Sequence, residues 1–420
     1  MILIILIMKN SKIDDEKNVA YLKENYGKNI LPLSLLQNEY VLGTEPLEIL
    51  FFWNKESTFL ETKESIFRAV RHYNIFSSRL IQTGQNKFAL QYCKDGFKFN
   101  FLPFIDDTFD NINIEDIKKK LVKVKTLPGE SLFAVTVIPV KGGRFVGISC
   151  SDAVADVFAL ILLCFAWKSI IERKRFLRPS PQRLFKGKPA DFDKTDKTFI
   201  PSLSELSNAI QKRVRISSVK KYTKREYFTD ELLNELQLTA KSKNEKCIIS
   251  RSQIITSLLL KKYHDIISPD AESVVLRNPI NLREVHPDVD PMYIGNAFFD
   301  NTTRYSRDEI ERMSIYEIAY RLNESISNVG NEEHLKKISY LSDYGIEFKK
   351  EVIKNYSLYN MDTDIVSSNL IALNDPESLG ISSNLVNILN INASPTSFVI
   401  LKEKDGRIFA QITSIYPLTF

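Results

Sequence analysis

Between Glu172 and about Pro201 the chain loses every hydrophobic period. The stretch ERKRFLRPSPQRLFKGKPADFDKTDKTFIP holds four prolines and a basic first half, which suits a linker long enough to cross a whole domain. It cuts the 420 residues into near-equal parts. At roughly 100–200 residues per domain, each part can hold its own core. The expected organisation is a domain over 1–172, a crossover over 173–215 and a second domain over 216–420. A hydrophobic content of 44% excludes disorder as the main state. Lys and Arg (57) exceed Asp and Glu (52) by only five, so nothing demands nucleic acid as a partner.

Both parts mix helices and strands, and no repeat of 20–50 residues runs through them. Thr62 to Tyr73 presents Ile66, Phe67, Ala69 and Val70 on one helical face. Phe88 to Phe101 reads as a hairpin around Lys94-Asp95-Gly96, and Leu132 to Cys150 as a stronger one around Gly142-Gly143. A third spans Thr396 to Ile415. Ser314 and Glu317 form a capping box ahead of an apolar stripe at Ile315, Ile318, Ala319, Leu322 and Ile326. Val157 to Trp167 is apolar over 11 residues, the length of a buried core helix and far short of the ~20 residues of a membrane span. Met1 to Met8 is shorter still; it reads as a strand, or as an over-extended start with Met8 the initiator. Cys93, Cys150, Cys164 and Cys247 show no C-x-x-C spacing, which points to a reducing, cytoplasmic compartment and away from a zinc site. No membrane partner, metal spacing, P-loop or dinucleotide fingerprint is expected.

The chemistry concentrates between the strand Phe145–Cys150 and the helix Val157–Trp167, where Ser151-Asp152-Ala153-Val154-Ala155-Asp156 makes the turn. This segment resembles the HxxxDG motif of the BAHD acyltransferases and their condensation-domain relatives. Other segments carry the same resemblance. Leu33-Ser34-Leu35-Leu36 is similar to the family's LSxxD opening, with Gln37 in the acid's place. Lys63 to Leu80 is similar to its early helix and PLAGRL segment, Asn281-Leu282-Arg283 to DxR, and Tyr293-Ile294-Gly295-Asn296-Ala297 to YFGNA. Ser378 to Ser382 stands where the family has DFGWG and keeps only Gly380.

The resemblance implies an α/β protein of two chloramphenicol-acetyltransferase-like mixed-sheet domains with a channel between them. It implies acyl-CoA as co-substrate, no permanently bound cofactor, a small alcohol or amine as acceptor, and a monomer. In the family the His of HxxxD is the general base in that channel. Here Asp152 occupies its position, and Val157 replaces the following Gly. The second Asp of the motif pairs with an Arg, which carries over to Asp156 and Arg283 as structural support; Ser151, Asn296 and Gly380 are further channel or motif positions.

An ordinary Asp is about 3.5 kcal/mol poorer in proton affinity than an ordinary His. Burial, or repulsion from Asp156 if the two shared a helical turn, would narrow that gap. The competing role for Asp152 is a plain helix N-cap. Cys150 shares its strand face, but no flanking base is evident to activate the thiol. His72, His264, His286 and His334 read as solvated or capping residues. Two further functions stay open: a retired enzyme that binds through the old channel, and a repurposed one running cyclisation or condensation.

Overall fold

The computed structural model describes residues 30–33, 46–54, 57–84, 87–94, 96–176, 179, 220–245, 247–341, 362–371, 385–391, 396–403 and 405–418. The first part of the chain supplies β1 (Ile30–Pro32), β2 (Leu47–Trp53), α1 (Phe59–His72), β3 (Ser78–Gly84), β4 (Lys87–Tyr92), β5 (Lys98–Phe101) and β6 (Ile105–Thr108). The short helix α2 (Ile114–Lys119), the hairpin β7 (Phe133–Lys141) and β8 (Gly143–Cys150), and α3 (Val157–Ile171) follow. After the crossover come β9 (Tyr222–Phe228), α4 (Asp230–Lys243), α5 (Arg251–Ile267), β10 (Ser273–Asn281), α6 (Leu282–Val285) and β11 (Phe298–Ser306). Then come α7 (Arg307–Arg312), α8 (Ile315–Ser327), α9 (Glu332–Leu341) and the strands β12 (Asp364–Asn369), β13 (Leu385–Ile391), β14 (Ser397–Lys402) and β15 (Ile408–Ser414).

These strands make two six-stranded mixed sheets and one small sheet. The first large sheet runs β13-β2-β8-β7-β5 with β6 beside β7; the second runs β11-β10-β12-β14-β15-β9; the small one is β1-β4-β3. The first large sheet is covered on both faces, so β8 is buried along its whole length. Ile49, Phe51, Val135, Val146 and Ile148 face α1 and α3, whereas Leu50, Phe52, Ile138 and Phe145 face α2 and its flanking loops. That strict alternation is the period of two that a pleated strand imposes. Helix α3 is apolar on all sides because it lies inside this core. Its Trp167 Nε1 donates to Ser65 Oγ of α1 at 2.8 Å, and its ring meets Trp53 edge-on at 5.0 Å. In the second large sheet, Val274, Leu276, Ile365, Phe398 and Ile400 pack against α5 and α8.

Three expectations change. First, division by chain order is not division by sheet, because β13 from the second part pairs antiparallel with β2 of the first sheet. Second, Phe88–Phe101 is no hairpin: β4 pairs with β3, while β5 crosses to run parallel to β7. Phe97, just ahead of β5, follows the crossing, since its ring packs on Phe67 of α1 and on Phe133 at the start of β7. Third, α1 starts at Phe59, where Thr58 and Glu61 form a capping box that extends it upstream of Thr62. The β7–β8 turn, the Ser314–Glu317 capping box and the β14–β15 hairpin stand where the sequence places them. Met1 to Met8, and the crossover apart from 173–176 and 179, lie outside the described residues. Among the described residues, no helix is long and apolar enough to cross a membrane.

Two glycines test the turns. Gly142 has φ +76° with nothing near its missing Cβ, so Gly142→Ala should cost only the left-handed strain, about 1 kcal/mol. A Cβ on Gly96 would sit 1.6 Å from the Ser77 carbonyl oxygen, so Gly96→Ala must move backbone and should cost about 3 kcal/mol. Urea denaturation of both variants separates the mechanisms; equal costs would contradict the close approach at Gly96.

Candidate active site

The turn between β8 and α3 is fixed by its own backbone. Ser151 N–H donates to Leu132 O at 2.9 Å, and Val154 N–H to Ser151 O at 2.9 Å. Ser151 is fully buried; its Oγ accepts from Ala153 N–H at 3.3 Å and from Thr126 Oγ1 at 2.8 Å. Its hydroxyl therefore braces the turn. Helix α3 begins at Val157, and its cap is Asp156, whose Oδ1 accepts from Ala159 N–H at 2.8 Å. Asp152 is accordingly no N-cap, and it does not share a helical turn with Asp156.

Asp156 meets Arg283 in a buried, two-pronged ion pair: Nη1 to Oδ2 at 2.8 Å and Nη2 to Oδ1 at 3.3 Å. The remaining guanidinium donors reach Tyr293 O and Gly295 O, each at 2.8 Å, and Asn281 Oδ1 at 3.1 Å. Asp156 Oδ2 also accepts from Ala297 N–H at 2.8 Å. The guanidinium lies over the Phe158 ring at 4.8 Å. Five donors and four acceptor positions are all used, the condition under which a buried pair is tolerated. The Tyr293–Ala297 segment can wrap this closely because Gly295 has no side chain; a Cβ there would sit 2.1 Å from the Tyr293 hydroxyl.

Asn296 completes the connection. Its Nδ2 donates to the Asp152 carbonyl at 2.9 Å, and its Oδ1 accepts from Phe298 N–H at 3.0 Å. The Asp152 backbone is thus held from the second sheet, while among the described residues its carboxylate accepts no hydrogen bond. The side chain is half-buried. Surrounding protein strips most of its hydration, and the charges of Asp156 and then Asp300 repel it, which together raise its pKa to about 7. Burial, with the charges of Asp152 and then Asp156, pushes the neighbouring Cys150 thiol far up, so it stays protonated and inert.

Asp152, Asp156, Arg283, Asn296 and Ser151 converge on this one turn; Gly380 and Ser34 to Gln37 lie outside the described residues. Sequence reasoning missed Asp300 on β11, which faces Arg277 at 3.8 Å while Arg277 pairs with Asp364 at 2.7 Å. Its only signal was a lone acid four residues after Asn296. The histidines also differ from expectation. His264 and His286 are buried, the former in the last turn of α5 and the latter accepting from Asp288 N–H through Nδ1 at 3.2 Å. Apolar neighbours in sequence had not revealed that these loop and helix ends fold inward.

A model of the Transferase family matches residues 16–373. The chain belongs to that family, the BAHD-type transferases. Solved structures with the same fold include F. sporotrichioides TRI101 in complex with coenzyme A and T-2. It is 11% identical, covers 92% of this chain and 94% of its own, and has a TM-score of 0.68. Vinorine synthase is 15% identical, with 92% of each chain covered and a TM-score of 0.61. The condensation domain of the Monacolin K polyketide synthase MokA is 9% identical over 93% of each chain, at 0.57. At these identities the likeness concerns the fold: two chloramphenicol-acetyltransferase-like, sheet-containing domains. A sequence search among curated proteins gives no match.

Arg283→Ala would leave the Asp156 carboxylate buried without its counter-charge, so it should cost about 3–5 kcal/mol in urea denaturation. Arg283→Lys, with three donors for five acceptors, should recover only part of that. An unchanged unfolding midpoint for Arg283→Ala would contradict the role of the pair.

Proposed function

We propose that this protein transfers an acyl group from acyl-CoA to a small alcohol or amine, with Asp152 as the general base. The observation that carries the proposal is the Asp152 carboxylate itself. It is half-buried, accepts no hydrogen bond among the described residues, and takes the base position of the family motif by sequence resemblance, with its pKa raised to about 7. Membership of the family supports the reaction class, and a relative solved with coenzyme A and T-2 supports the donor and the size of the acceptor. A channel between the two domains, CoA as co-substrate without a resident cofactor, a monomeric state and a cytoplasmic location belong to the same proposal.

In this scheme the ionised Asp152 takes the proton of the acceptor O–H or N–H as its heavy atom attacks the thioester carbonyl. A carbon–oxygen or carbon–nitrogen bond forms, and the carbonyl becomes a tetrahedral oxyanion. Collapse expels the CoA thiolate, and the protonated Asp152 returns its proton to that sulfur. The cycle leaves the carboxylate as it began, with ester or amide and free thiol as products. A base with a pKa near the working pH can both accept and return a proton, which an ordinary Asp near 4 does poorly. Asp156 and Arg283 hold the turn, and Asn296 holds the Asp152 backbone.

The test is thiol release and product mass with acyl-CoA and an acceptor. Wild-type turnover should rise with pH through about 7 as Asp152 ionises. Asp152→Ala should fall by about 100-fold or more, while Asp152→His should retain or exceed wild-type turnover. Wild type no faster than Asp152→Ala would overturn the proposal and favour a retired enzyme that only binds.

A further inference from the structure

Helix α5 ends against α7, and that junction gathers three ligand-type side chains. His264 and Asp265 come from the last turn of α5 and Glu311 from α7; one ligand atom of each lies within 4.8 Å of the others. His264 is 5% exposed. Its Nδ1 faces two backbone carbonyls, Leu260 O at 3.1 Å and Lys261 O at 3.2 Å. A carbonyl can only accept, so Nδ1 carries the proton and Nε2 keeps its lone pair. That Nε2 is buried without a hydrogen-bond partner, and it stands 3.2 Å from Asp265 Oδ1. A lone pair facing a carboxylate oxygen is repulsive unless something positive lies between them.

We infer that His264, Asp265 and Glu311 form a binding site for a zinc-type divalent cation. Imidazole nitrogen with two carboxylates is a donor set that zinc and its first-row neighbours accept, whereas magnesium and calcium favour oxygen alone. The Nδ1–H bond to a main-chain carbonyl is the support that orients a ligating histidine and raises its basicity. Arg307 also pairs with Asp265 Oδ1 and is separately held by Ser268 O and Pro269 O at 2.8 Å, while among the described residues Asp265 Oδ2 accepts no hydrogen bond. The position also lies at the negative end of the 17-residue α5, which favours a cation. Lys261 already occupies the carbonyls of Ile310, Glu311 and Met313 at 2.6–3.2 Å. A metal would add a second tie between the same two helices, with its open positions filled by water on the exposed side of Asp265 and Glu311. The acyl-transfer chemistry does not enter this argument. Sequence spacing gave no hint of it, because Glu311 comes from a separate helix.

The experiment titrates zinc chloride into metal-stripped full-length protein by calorimetry and records the melting temperature with and without zinc. Wild type should bind one zinc per chain and melt higher with zinc than without it. Glu311→Gln alters only an exposed side chain; it should keep the metal-free melting temperature while zinc affinity falls by about tenfold or more. His264→Gln should lose the binding altogether, and magnesium chloride should not reproduce the effect. Absence of zinc uptake by wild type would overturn the site. So would uptake by Glu311→Gln equal to wild type, which would assign the metal to the thiols or elsewhere.

Discussion

Arg283 sits at the point where the two sheets meet chemically, with all five of its N–H donors engaged and the Asp156 carboxylate saturated in return. Asp156 caps the helix that follows β8, and Arg283 follows β10 of the other sheet. Taking both charges from water costs several kcal/mol per ion, so two apolar residues would satisfy the core as well. They would not fix direction. The fork demands that the Ser151–Asp156 turn and the Tyr293–Ala297 segment sit in a single register, and Asn296 transmits that register to the Asp152 backbone.

On the function we propose, an aspartate at the histidine position of the motif loses less basicity than the ordinary pKa values suggest. An Asp in water would be a poor base, and the gap of about 3.5 kcal/mol would fall on the transition state in part. Here the environment narrows the gap: loss of hydration and two nearby carboxylates disfavour the charged form and bring Asp152 to about 7. Burial, with the carboxylates of Asp152 and Asp156, holds the Cys150 thiol protonated. One environment thus tunes one neighbour into the useful range and the other out of it.

The fold and half of this site could be seen in the sequence. The apolar run of α3, the Gly142 turn and the Ser314 capping box are local signals, each set by residues within a few positions of one another. The Asp156–Arg283 pair spans 127 positions and was legible only through the family resemblance. What stayed hidden was non-local and without a motif: the return of β13 to the first sheet, the crossing of β5, and Asp300 beside Asp152. The Phe88–Phe101 alternation could not say whether its partner strand lay next in the chain or in another sheet. Burial of His264 and His286 depends on how helix ends dock, which periodicity does not encode.

The central claim is that this site makes an aspartate serve where a histidine stood, and the carboxyl group can be watched directly. In protein carrying ¹³C-labelled aspartate, the resonance absent from Asp152→Asn identifies the group, and its shift is followed from pH 3 to pH 9. The account predicts a midpoint of about 7. A midpoint near the ordinary Asp value of about 4 would contradict it, leaving Asp152 a spectator in the histidine's place.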